Sequence, residues 1–214
     1  MIYRLFRPLL RAGMAAAMLC AAATALSART DMKREPFIID KDYGPIVYAE
    51  DFYRLYSLPQ YYNEENLLVN IAFLKRALDA PFDFVNRALC IIENERQYER
   101  YKALMRMQFC YLITQNLIYL AGLYDKEHYF FYNAQFKDDI SNSLHFARFY
   151  YLEADKWWQS TVSYAVAVSK NSERLGLDVL VDRARKIRYG DIDYAKTIKR
   201  RIPKIDAMLA EMQK

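Results

Sequence analysis

Apolar residues recur along this chain in steps of three and four, the spacing of a buried helix face, over most of its length. The cleanest run is Ile140, Leu144, Ala147, Tyr151, Ala154, Trp158, Thr161, Ala165 and Val168, which alternates the two steps without a slip and predicts a long helix from about Asp138 with a coiled-coil-like seam. Phe146, Phe149, Tyr150, Trp157 and Tyr164 run beside that seam and predict a second neighbour for the same helix. Upstream, Tyr98, Tyr101, Met105, Phe109, Leu112, Tyr119 and Leu123 form one stripe, with Asn116 at one of its positions. Leu104, Met107, Tyr111 and Ile118 form another, so a helix from Glu95 to about Leu123 is expected to lie between neighbours. The two long helices should pair as an antiparallel hairpin, with Trp158 buried against the segment Met105 to Tyr119.

Shorter elements surround this pair. A helix from about Ala49 to Leu58 ends at Pro59, because proline disfavours helical geometry in the residue before it. Another starts after Asn63, whose side chain can cap free amides while Glu64 and Glu65 suit the positive end of the dipole. Its inward stripe is Leu67, Leu68, Ile71, Leu74 and Leu78, and Pro81 ends it. A short helix is expected over Asp83 to Ile92 and a modest one over Ser172 to Ile187. The tail sets Ile192, Ala195, Ile198, Ile202, Ile205, Leu209 and Met212 on one stripe, with Pro203 expected to kink it or to start its last helix.

The fold class is therefore all-α: an elongated array of helical hairpins or bundles with an extended arm before it. Few glycines punctuate the chain, which argues against the repeated tight turns of a sandwich or barrel. The residue 143–158 segment has the small and aromatic alternation of tetratricopeptide repeats, yet no second copy follows about 34 residues away. A tetratricopeptide-like shape fits better than a true array.

The first 28 residues change the charge picture. Arg4, Arg7 and Arg11 precede an apolar run from Ala12 to Leu26, followed by small residues around Ser27 and Ala28, which reads as a secretory signal. Cys20 follows Met18 and Leu19 rather than the small residue that normally precedes a lipid-modified cysteine, so cleavage rather than lipidation is expected. The expected divisions are residues 1–28 as signal, 29–47 as extended arm, 48–170 as helical core and 171–214 as charged C-terminal helices. The formal charge of +5 loses three arginines with the signal and falls to +2. That small excess gives no electrostatic footprint for nucleic acid. Export is expected, with no stable membrane insertion after cleavage.

Candidate chemistry is sparse. The only histidines are His128 and His145, and neither has glutamate three residues before it, so a bundle di-iron site is not expected. Asp138 with Asp139, and Glu64 with Glu65, fall where a helix start favours anions. Cys90 and Cys110 sit in apolar helical patterns, as a bridge or as buried thiols. No glycine-rich phosphate loop and no nucleophile–base set is apparent, so neither catalysis nor a cofactor or metal is expected.

Two features point instead to partners. The chain carries 19 Tyr, 12 Phe and 2 Trp, and aromatic residues are enriched in protein interfaces. The run "EHYFFYNAQF" cannot turn all its rings to one core, so Tyr129, Tyr132 and Phe136 are candidate anchors at the link between the long helices. Lys196, Lys199, Arg200 and Lys204 share a helix face opposite the apolar stripe of the tail and are candidate contacts for an acidic protein or anionic lipid, the protein being favoured.

The segments "ALDAPFDFVNRALCIIENERQYERYKALMRMQFCYLI" and "YDKEHYFFYNAQFKDDISNSLHFARFYYLEADKWW" resemble a family of helical periplasmic proteins of spirochaetes, the one that includes flagellar-coiling protein A. The matching residues are Ala80, Pro81 and Phe82, then Ala88, Ile92, Glu93 and Tyr101, then Tyr129, Phe130, Phe131 and Asn133, and the pairs Tyr150–Tyr151 and Trp157–Trp158. The resemblance runs from Leu78 to Trp158. It implies a non-enzymatic exported structural protein that binds other periplasmic or flagellar proteins and influences motility and cell shape. Without it, the residues fit equally a tetratricopeptide-like periplasmic adaptor or scaffold of another envelope complex.

Overall fold

The computed structural model describes residues 37–38, 45–55, 63–125 and 136–213. The fold is all-α. Its described helices are α1 (Ala49–Leu55), α2 (Glu64–Asp79), α3 (Glu95–Tyr124), α4 (Lys137–Lys170), α5 (Asp178–Tyr189) and α6 (Tyr194–Met212), all within one compact unit, Pro36–Lys214. Before them, β1 (Phe37–Ile38) pairs antiparallel with β2 (Pro45–Ile46), Phe37 opposite Ile46.

The middle layer is the pair of α3, 30 residues long, and α4, 34 residues long, which make the most extensive helix contact in the molecule. At 1.5 Å per residue they run about 45 and about 50 Å. From Leu144 onward every seam position of α4 is buried, through Ala147, Tyr151, Ala154, Trp158, Thr161 and Ala165 to Val168. The small residues let the helices approach closely, and burying each large one contributes on the order of 1.5 to 3 kcal/mol.

Two layers cover the pair. On one side lies α2, which buries Leu67, Ile71, Phe73, Leu74 and Ala77. Its Asn70 donates to Asn116 Oδ1 of α3 (3.2 Å), and its Lys75 ammonium lies 5.7 Å from the Trp157 ring centroid of α4. Elsewhere α5 and α6 follow one another along the pair: Arg183 of α5 bonds Gln108, Tyr194 of α6 meets Tyr111, and Arg201 reaches Asp125 just past α3. The double apolar character of α3 follows from this arrangement. Tyr101 and Asn116 mark its α1–α2 side, while Gln108, Tyr111 and Gln115 mark its α5–α6 side.

Local chemistry sets the boundaries. The side chains of Asn63, Asn94 and Asp193 accept from the amides of Asn66, Gln97 and Ala195 at 2.8, 2.9 and 3.0 Å, capping α2, α3 and α6. Gly190 ends α5 at φ 80, a left-handed conformation that costs other residues a Cβ clash.

Two expectations need correction. Asp83 to Ile92 is not a helix. Phe84–Arg87 forms a turn, because Asp83 Oδ1 accepts the Asn86 amide (3.1 Å) and the Asp83 carbonyl accepts the Arg87 amide (3.0 Å), after which the Leu89 amide turns to the Tyr101 hydroxyl. The segment expected to be helical from Ser172 becomes so only at Asp178. Upstream, the carbonyls of Glu173 and Arg174 accept from Arg100 and Gln97 of α3, and the Glu173 amide donates to Asn171 Oδ1 (3.0 Å), so these groups leave the helical ladder. Of the two alternatives for Pro203, it does not start a last helix but lies inside α6. It removes the hydrogen bond to the Lys199 carbonyl on the exposed side, where water can replace the lost donor. The first helix is described from Ala49 to Leu55, and the rest of its expected span, to Leu58, lies outside the described residues.

Burial also leaves a titration signature. It pushes the Tyr151 hydroxyl up from 10.0 to about 12, with the nearby Asp125 charge adding to the shift, and the Cys110 thiol up from 9.0 to about 12. An acid held protonated by folding is deprotonated first in the unfolded chain. The associated stability is complete below about pH 9 and is lost as pH rises through 9 to 12. Denaturant midpoints taken across that range are expected to fall steadily; a flat profile to pH 12 would contradict the burial of these two groups.

Candidate functional site

Among the described residues, no group of three or more His, Cys, Asp or Glu side chains is placed to hold a metal. His145 is exposed on α4, and Cys90 and Cys110 are both free thiols. Asp138 and Asp139 lie in the first turn of α4, Glu64 and Glu65 in that of α2. Among the described residues, no helix is long and apolar enough to cross a membrane.

Of the expected aromatic anchors, Tyr129 and Tyr132 lie outside the described residues. Phe136 is exposed at the N-terminus of α4. The four expected cations are all on the outer face of α6: Lys196, Lys199, Arg200 and Lys204 are exposed, while Ile198, Ile205 and Leu209 are buried. Lys196 lies 3.9 Å from Asp193, the residue that caps the same helix.

Between those cations the structure buries a fifth. Arg201 points inward, and its Nε and Nη2 meet the two carboxylate oxygens of Asp125 at 2.7 and 2.5 Å. The side chains are only 3% and 6% exposed, and the Tyr151 hydroxyl donates to the same carboxylate at 3.2 Å. Asp125 is the residue that ends α3, so one cluster ties α3, α4 and α6 together. Beside it, Gln115 Nε2 donates to the hydroxyls of Tyr111 (3.0 Å) and Tyr194 (2.7 Å), whose rings stack at 5.7 Å. Trp158 meets Tyr194 edge-on at 5.2 Å. Trp158 is therefore buried as expected, with a ring partner on α6 that itself leans on α3.

The feature that the sequence concealed is the link from α2 to α3. Val85 and Ile91 are 75% and 83% exposed, and Phe84 is exposed beside them. Together with Asn86, Ala88, Leu89, Cys90 and Ile92 they line an open groove that is apolar over more than half of its surface. The link is pinned from below. The Ala49 amide donates to the Pro81 carbonyl (3.0 Å), and the fully buried Glu50 accepts the Asp83 amide (3.3 Å) and the Tyr101 hydroxyl (3.2 Å). Arg87 donates to both oxygens of Asp51 at 2.7 Å, and Arg54 donates to the Arg87 carbonyl at 2.7 Å. Burial and the Glu50 charge hold the Tyr101 hydroxyl protonated far above its ordinary range. Apolar tips are thus displayed on a backbone that α1 and α3 fix in place. Residues projecting from a fixed backbone lose less entropy when a partner covers them.

No curated protein and no solved structure matches the chain. A family model matches residues 96–214, more than half of the sequence, spanning nearly all of α3 and the whole of α4 to α6. By that match the chain belongs to the family described as Domain of unknown function (DUF8513).

Proposed function

We propose that this chain is a non-enzymatic, exported interaction protein of the periplasmic flagellum that influences motility and cell shape. The observation that carries the reading is the pinned apolar link, with Val85 and Ile91 in water on a backbone held by Glu50, Arg87 and Tyr101. Exposed aliphatic side chains cost solubility, and a fold that fixes them in place gains only if something covers them. The link lies within the segment that resembles the flagellar-coiling protein A family, which is the reason for naming a flagellar component as the partner.

The test is made in cells. A photo-crosslinking residue at position 91 is expected to capture a component of the flagellar filament. An Ile91→Asp chain that melts like the parent is expected to lose a crosslink placed at position 85 and to swim abnormally. Normal swimming and normal cell shape after deletion of the gene would remove the flagellar assignment.

A further inference from the structure

Past the Asp83 turn, the link approaches α3 as a short unpaired strand. Side-chain burial alternates along it, with Cys90 and Ile92 half-buried and Ile91 and Glu93 exposed, the two-residue period of an extended chain. From Ile91 to Glu93 the chain is neither helix nor turn. The Leu89 amide donates to the Tyr101 hydroxyl (3.4 Å) and the Glu93 amide to Gln97 Oε1 (2.7 Å), so one edge of this stretch lies along α3. Successive amides of an extended chain point to opposite edges, which turns those of Cys90 and Ile92 away from α3. Among the described residues, nothing bonds the main-chain N–H or C=O of either. Glu93 stands on the same side as Ile91 and is in no ion pair among the described residues; Glu95 follows it at the start of α3. Arg96 is the cation next in sequence and pairs with neither.

We propose that Cys90–Ile92 is an acceptor edge to which an extended segment of a partner protein adds as a β-strand, laying an apolar side chain on Ile91 and a basic one on Glu93. An occupant that covers Ile91 also takes the adjacent main chain out of water, and unbonded N–H and C=O groups make that burial costly. A partner helix has already used its own main-chain groups, whereas an extended segment brings matching donors and acceptors. The open groove continues past Phe84 and Val85, which gives the rest of such a segment an apolar bed. The carboxylate beside Ile91 selects the sign of the side chain opposite it. Because the Leu89 and Glu93 amides are tied to α3, the edge is held in place before the partner arrives. This mode of binding rests on the link being the contact surface proposed above; it does not depend on the partner being flagellar.

The test compares crosslinks formed in cells from a photo-reactive residue at position 85. Ile92→Val is expected to keep the crosslink of the parent. Ile92→Pro, which removes an amide that has no bond within the chain, is expected to form about tenfold less, the order of one main-chain hydrogen bond. Glu93→Lys is expected to weaken the crosslink as well. Circular dichroism reports whether the proline variant folds. If it does not, amide hydrogen exchange over Leu89 to Glu93 gives the same reading, with exchange expected to slow in the crosslinked parent relative to the free chain. A folded Ile92→Pro chain that crosslinks like Ile92→Val, or exchange unchanged in the complex, would overturn the added strand while leaving the link as a contact surface. An undiminished crosslink from Glu93→Lys would overturn the basic residue assigned to the partner. No crosslink from the parent at all would remove the contact surface, and the strand with it.

Discussion

An Arg201→Met chain is expected to lose about 3 to 5 kcal/mol of unfolding free energy, because the substitution leaves the Asp125 carboxylate buried without its cation. The guanidinium makes two hydrogen bonds to that carboxylate, and the Tyr151 hydroxyl alone cannot offset a desolvated anion. Asp125→Leu is expected to cost a similar amount by stranding the arginine. The double variant Asp125→Leu/Arg201→Met should be more stable than the sum of the singles implies, since an apolar pair of similar volume removes both charges at once. Urea denaturation of the four proteins measures this. Single variants that keep the parent midpoint would show that the pair is solvated.

Trp158→Ala should be comparably damaging, at about 3 to 5 kcal/mol, for a different reason. Trp158 is 3% exposed, and its removal leaves a cavity beside Tyr194, which then loses its edge-on partner while remaining stacked on Tyr111. Trp158→Phe should recover much of the loss, because a smaller ring still fills part of the space. In a double-mutant cycle, Trp158→Phe and Tyr194→Leu should couple by about 0.5 to 1.5 kcal/mol, the usual size of an aromatic pair. Thermal melting of the alanine variant is the direct measurement. A melting temperature equal to the parent's would refute the placement of this ring between α4 and α6.

The contrast between these two positions explains what the sequence made legible. Trp158 belongs to an unbroken three-and-four pattern, and patterns of apolar residues survive tertiary context because burial itself selects them. Arg201 occupies the same register relative to Ile198 and Ile205, three and four residues away, yet the apolar pattern puts Ile202 on the stripe at that turn and leaves Arg201 in neither the stripe nor the basic set. Only the position of its partner, Asp125, 76 residues earlier, turns that position into a buried one. The outward set Lys196, Lys199, Arg200 and Lys204 was legible because it is the complement of the stripe.

The α2–α3 link shows the opposite failure. In "DFVNRALCII" only Arg87, Ala88 and Leu89 are strong helix formers, and the Asp83 turn and the long-range bonds to Glu50, Asp51 and Tyr101 outweigh that short preference. Ser172 to Leu177 departs from its helical reading for the same kind of reason, since its carbonyls serve Arg100 and Gln97. Long-range hydrogen bonds leave no periodic trace, so the display of Val85 and Ile91 could not be read from spacing.

The family match and the fold divide this chain at different places. Its first residue, Arg96, falls just after the Asn94 that caps α3, and the match leaves out α1, α2 and the link. Yet Tyr101 of α3 is bonded to Glu50, and Asn116 to Asn70, on the side that α2 covers. The recurring unit of sequence is thus not a self-sufficient unit of folding here. A chain begun at Arg96 would carry the Tyr101 and Asn116 side of α3 into water and lose its cap as well. The N-terminal portion therefore covers one flank of the matched segment, and any exchange of that segment between proteins must bring along something to cover the same flank.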